Sequence, residues 1–88
     1  MIERKLVIPK TVRLHDGFDY DIHLNFKNHY NGETLTIFVH LNNKELDNWY
    51  GRRLDTRKDI GDDDLSYAIN KNIEYLVELI KLEGERGE

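Results

Sequence analysis

Two alternating runs, Tyr20-Asp21-Ile22-His23-Leu24-Asn25-Phe26 and Thr34-Leu35-Thr36-Ile37-Phe38-Val39-His40-Leu41, flank the dipeptide Asn31-Gly32. Strict alternation of apolar and polar residues is the pattern of a half-buried strand. Asn-Gly accepts the positive φ angles that a tight type I′ hairpin turn demands. Pairing the runs across that turn sets Phe26 opposite Ile37, Leu24 opposite Val39 and Ile22 opposite Leu41. All three pairs are apolar, so turn chemistry and face chemistry agree on one register.

Upstream, Leu6, Ile8, Val12 and Leu14 are apolar at even positions, while Lys5, Thr11, Arg13 and His15 are polar between them. Pro9 cannot donate to a ladder, so this strand lies at an edge or breaks there. Asp16-Gly17 marks the next turn. A three-residue loop, Asp16-Gly17-Phe18, sets Leu14 opposite Tyr20 and Val12 opposite Ile22, with Arg13 facing Asp21 and His15 facing Asp19. A two-residue loop would set apolar side chains against acids, and a one-residue slip turns every side chain over. The prediction is a three-stranded antiparallel meander with one apolar face.

Downstream, Leu46, Trp49 and Tyr50 recur at helical spacing between Asn43, a capping residue, and Gly51, so residues 43–51 read as a short helical turn. Residues 52–61 read as a loop anchored by Leu54 and Ile60. A helix is predicted over Asp62–Glu83, about 30 Å long. Asp62, Asp63 and Asp64 sit where the macrodipole favours negative charge, and Gly84 is placed to end the helix. Leu65, Ile69, Ile73, Leu76 and Ile80 form its stripe; Ala68, Tyr75, Val77, Leu79 and Leu82 widen the apolar arc past half the circumference. Trp49, Tyr50 and Leu54 are expected over its flank, and Asn72 is expected to bond loop backbone. The fold class is therefore α+β, in the order β-β-β-α, as one domain over residues 1–83 with an acidic tail at 84–88.

Composition narrows the function. The 88-residue chain has no cysteine, which removes thiolate catalysis and disulfides and fits a cytoplasmic protein. No signal peptide or membrane span is visible. Residues 1–43 carry five bases and five acids, residues 44–58 five bases and three acids (+2), and residues 59–88 three bases and nine acids (−6). A basic segment thus abuts an acidic one, and the two can pair with each other or serve different partners.

Three clusters can carry function. The polar sheet face sets His23 across from His40, with Phe38 beside them. Two imidazoles near a carboxylate suit a divalent metal or an acid–base pair, while the default for such a face is solvated polarity. No short-range spacing supports a metal, so no metal or cofactor is assigned. The stretch from Trp49 to Lys58 interleaves aromatics with Arg52, Arg53 and Arg57, a composition suited to stacking on bases or anchoring a protein interface. Asp62, Asp63 and Asp64, with Glu74 and Glu78, can imitate phosphates for a basic partner. Ser66, the one serine, lies in the first turn of a helix without a nucleophile-elbow sequence, so no catalytic residue is assigned.

Short, acidic and cysteine-free, the chain is similar in type to phage and mobile-element proteins that block host machinery, anti-CRISPR proteins among them. That likeness implies a non-enzymatic protein-binding regulator or inhibitor that occludes a partner surface. A three-stranded meander with a C-terminal helix is also similar in architecture to the arm-binding domains of some tyrosine recombinases, which implies nucleic-acid binding through the sheet. Asp19 and Asp21 on that face weigh against strong phosphate binding. Two further readings are a structural homodimer joined through the wide helix arc and a small hydrolase using His23 and His40.

Overall fold

The computed structural model describes residues 5–28 and 32–86. Four strands, β1 (Thr11–Arg13), β2 (Asp19–Asn28), β3 (Thr34–Asn43) and β4 (Asn48–Arg57), precede one helix, α1 (Asp62–Arg86). The strands form an antiparallel sheet in the order β1-β2-β3-β4. The class is α+β, as the alternation implies, but the sheet has four strands where three were expected.

The central pairing has the predicted register: Ile22 faces Leu41, His23 faces His40, Leu24 faces Val39 and Phe26 faces Ile37. Asn31 lies outside the described residues; Gly32 has φ +76°. The β1–β2 register differs from expectation by two residues, with Val12 opposite Tyr20 and Arg13 opposite Asp19. The loop is His15-Asp16-Gly17, shifted one residue towards the N-terminus. Leu14 donates its N–H to the Phe18 carbonyl at 3.1 Å, Gly17 N–H returns to the Leu14 carbonyl at 3.0 Å, and Gly17 takes φ +85°. This is a tight turn closed by a left-handed glycine. His15 therefore lies in the loop and Arg13 takes Asp19. A shift of two preserves side-chain parity, so apart from His15 the faces of β1 and β2 are composed as predicted.

The segment 43–51 is a hairpin, not a helical turn. Asn43 ends β3, residues 44–47 turn, and β4 begins at Asn48. Asn43 Oδ1 accepts the Leu46 N–H at 2.8 Å, the same type of bond an N-cap makes. Asp47 N–H then reaches the Lys44 carbonyl at 3.3 Å, and Asp47 adopts φ 54° to re-enter the sheet. Residues 52–57, read as loop, belong to β4. The helix continues through Gly84 to Arg86, so Gly84 does not end it. A glycine stops a helix only where the chain turns left-handed; within one it costs about 1 kcal/mol and is tolerated.

The core is one cluster. Leu35, Ile37, Val39 and Leu41 of β3, Tyr20 of β2 and Leu14 meet Leu65, Ile69, Ile73, Leu76 and Ile80 of α1. The helix lies closest to β4 and β3. Its opposite flank is covered by the segment before β1, an unforeseen use of Leu6 and Ile8, which pack against the core. Lys5 N–H donates to Asp62 Oδ2 at 3.0 Å, Val7 N–H to Ser66 Oγ at 3.0 Å, and Asn70 Nδ2 to the Val7 carbonyl at 3.0 Å. Backbone that finds no strand partner is thus satisfied by helix side chains. Tyr50 and Leu54 cover the other flank as expected, but Trp49 does not: it points away from the helix and is 67% exposed. Asn72 bonds no loop backbone; its Nδ2 donates to the Ala68 carbonyl and its Oδ1 accepts from Arg52 Nε at 2.8 Å.

Candidate functional site

The helix covers one face of the sheet and leaves the other open. Because β4 is a strand, the basic stretch from Trp49 to Arg57 divides by parity. Tyr50, Arg52 and Leu54 stand opposite the buried Leu41, Val39 and Ile37, on the helix side. Arg52 lies over the Tyr75 ring, 4.0 Å from its centroid, in addition to its bond with Asn72. The Tyr50 ring lies 6.1 Å from that of Tyr20, tilted by 42°. These two residues therefore belong to the packing between sheet and helix, and they leave the predicted aromatic–arginine constellation.

Trp49, Gly51, Arg53, Asp55 and Arg57 take the open face, opposite Asn42, His40, Phe38, Thr36 and Thr34. There the rings form a chain. Phe38 and His40 are 6.5 Å apart between centroids, and His40 meets Trp49 at 5.6 Å in a T-shaped contact. Lys27 Nζ sits 5.5 Å from the Phe38 centroid, and Arg53 stands opposite Phe38 on β4. Gly51 makes the chain possible: a Cβ there would fall 2.9 Å from His40 Cδ2 and 3.2 Å from Trp49 Cζ3. Sequence reasoning placed Phe38 and His40 on this face, but it missed the contribution of Gly51, which it read as a helix stop. Parity from Tyr50 through Leu54 was the available signal, and Arg52 on the apolar face obscured it.

His23 faces His40 as predicted, and His40 spends its ring on Trp49 and Phe38. Among the described residues, no group of three or more histidine or carboxylate side chains is arranged to hold a metal ion. The charges on this face are interspersed and largely paired. Arg13 Nε meets Asp19 Oδ1 at 3.0 Å, Arg53 Nε meets Asp55 Oδ1 at 3.0 Å, and Arg57 Nη2 meets Asp59 Oδ2 at 3.0 Å. Asp55 also accepts the Thr36 hydroxyl at 2.7 Å. The bond from Arg13 holds the Asp19 carboxyl below the usual carboxylate range, and the same pairing raises the Arg13 guanidinium.

Asp62, Asp63 and Asp64 lie in the first turn of α1, away from the ring chain. Asp62 is engaged by the Lys5 N–H, while Asp63 and Asp64 face solvent. The predicted residues thus separate into an open-face group (His23, Phe38, His40, Trp49, Arg53, Arg57), a helix-side pair (the half-buried Tyr50 and the exposed Arg52) and a helix-start group. Comparison with known proteins returns no match, whether to a family model, a curated sequence or a solved structure. No helix among the described residues is long and apolar enough to cross a membrane.

Proposed function

We propose that the protein is a non-enzymatic protein-binding module, a small cytoplasmic regulator or inhibitor that occludes a partner surface with its open sheet face. The observation that supports this reading is the Phe38–His40–Trp49 ring chain, with a tryptophan two-thirds exposed at its end. Exposing such a ring forgoes the favourable burial of its apolar area. Tryptophan and arginine are the residues that most often dominate binding energy at protein interfaces. Nucleic-acid binding is the weaker reading, because Arg13, Arg53 and Arg57 already hold carboxylates at 3.0 Å and Asp21 adds another acid to the face. Phosphate binding draws its strength from unneutralised cations releasing counterions.

Capture from a candidate host lysate tests the reading, with wild-type protein, Trp49→Ala and Phe38→Ala as baits. A protein retained by the wild type after nuclease treatment, and lost from both variants at unchanged melting temperature, supports it. Retention of nucleic acid alone overturns it.

A further inference from the structure

Residues 5–8 sit on the helix as a bound peptide would. They belong to none of the four strands. Lys5 and Val7 are exposed while Leu6 and Ile8 are half-buried against the core, the alternation of an extended chain. Their backbone is held by α1 side chains at four-residue steps. Asp62 accepts the Lys5 N–H, Ser66 accepts the Val7 N–H and Asn70 donates to the Val7 carbonyl, each at 3.0 Å. Asn70 Nδ2 also donates to the Ser66 carbonyl at 2.8 Å, which holds its amide in place. Two residues of extended chain advance about 6.6 Å, and four residues of helix advance about 6 Å, so the two pitches match. The receptor is built by α1 and the core, and it reads the segment without any bond to the segment's own neighbours in sequence.

The link from this strap to the sheet runs through Pro9 and Lys10. The chain bends at Lys10, whose carbonyl accepts the Ile22 N–H at 2.9 Å, so the sheet side of the bend is anchored. Proline holds φ at about −65° and keeps the residue before it extended, so the strap pivots at Lys10 as one stiff piece. Its helix partners lie 57, 59 and 63 positions away. Opening it releases those three bonds and two half-buried side chains, and segments with so few contacts open locally well before the whole fold does. An opened copy displays both halves of one contact: Leu6 and Ile8 on the strap, and the vacated groove along Asp62, Ser66 and Asn70. A second opened copy is their complement. We infer that residues 5–8 are an exchangeable strap, which fills the α1 groove of a second copy and is replaced by that copy's own strap in a closed two-fold pair. Every bond lost within one chain is remade between chains, so concentration against the tether sets the balance. The strap lies on the helix side, so the exchange does not use the open face and is independent of the protein-binding reading.

The test uses the full chain. Samples are annealed in urea just below the unfolding midpoint, so that strap opening is not limiting, and returned to buffer at about 10 µM and about 1 mM, below and at the effective concentration of a short tether. Light scattering is expected to give the monomer mass at the lower concentration and about a third or more of the chains as dimer at the higher one. Two differently isotope-labelled copies, annealed together, are expected to show the Val7 amide of one copy beside Ser66 of the other in isotope-filtered NMR of the dimer. Leu6→Asp leaves the strap unseated within and between chains, and is expected to abolish the dimer while the circular dichroism of sheet and helix persists. A monomer at both concentrations overturns the exchange. So does a dimer whose interchain contacts lie on the outer arc of α1 at Tyr75, Leu79 and Leu82, on the ring chain or along β4, and so does one that survives Leu6→Asp.

Discussion

Gly51 stands across from His40 with no room for a Cβ between them: the added atom would lie 2.9 Å from His40 Cδ2. The gap is filled from both sides, by the imidazole and by the Trp49 ring, so a glycine in a strand becomes the seat of an aromatic contact. Gly51→Ala must displace one or both rings. Their outer atoms can move, and alanine recovers about 0.5–1 kcal/mol of strand propensity, so the net stability change is expected to stay within about 1 kcal/mol. The lone tryptophan reports the displacement directly. Its emission should shift in Gly51→Ala and in His40→Ala, whereas an unchanged spectrum in both would show that the T-shaped contact does not persist in solution.

The segment before β1 is held to the helix by few bonds, of which the one from Val7 N–H to the buried Ser66 hydroxyl is the most protected. Ser66→Ala leaves that N–H without its acceptor. A cost of about 1–2 kcal/mol is expected, read as a lower urea midpoint with an unchanged slope. A slope that falls as well would mean that Leu6 and Ile8 had come away from the core.

Ile69 is fully buried and Leu82 is half exposed on the same helix. Ile69→Ala is expected to cost about 2–5 kcal/mol through lost burial and a residual cavity, while Leu82→Ala should stay within about 0.5 kcal/mol. Thermal unfolding of the two variants checks the contrast. A comparable loss in Leu82→Ala would indicate that the outer arc of the helix is covered in solution, as expected of the homodimer reading.

Two groups give the stability a pH dependence of opposite sign. Asp19 is held below the usual carboxylate range by the bond from Arg13, so its contribution is present above the unfolded value of about 3.9 and is lost as pH falls through its folded value. Both side chains face solvent, so this contribution is small. The midpoint of the Asp19 carboxyl, followed by NMR, should rise in Arg13→Gln. Tyr20 is raised above the ordinary tyrosine range by burial, with the bond from Asn48 opposing and Asp16 adding to the rise. Its neutral form is favoured in the fold, so this contribution is complete below the unfolded value of about 10 and is lost as pH rises through the folded one. Tyr20→Phe should flatten the alkaline limb of the stability profile, and an unchanged limb would place the titration elsewhere.

The parts of the fold legible in the sequence were those where two independent signals coincide. Gly32 and the apolar faces of β2 and β3 fixed one register, and His23 lies across from His40 because of it. The stripe from Leu65 to Ile80 placed the helix for the same reason. β4 was illegible because its signals compete. Asn43 makes the same side-chain bond in a hairpin turn as it would at a helix start, and Leu46, Trp49 and Tyr50 fall at helical spacing although the first two are not core residues. Arg52 breaks the apolar alternation of Tyr50 and Leu54 by using its guanidinium on Tyr75 and Asn72. The candidate surface was consequently half read: Phe38, His23 and His40 came from parity in β3 and β2, while Trp49 and Arg53 reach it only once β4 is known to be a strand.

The bonds from Lys5 to Asp62, from Val7 to Ser66 and from Asn70 to Val7 join residues 57, 59 and 63 positions apart. Each hairpin, by contrast, closes within its own neighbourhood, and loop-closure entropy favours such contacts early in folding. During synthesis, at about 5–20 residues per second, the segment bearing Leu6 and Ile8 leaves the ribosome before the helix that will hold it exists. Until the helix is made, the N–H groups of Lys5 and Val7 and the side chains of Leu6 and Ile8 lack the α1 partners that hold them in the folded protein.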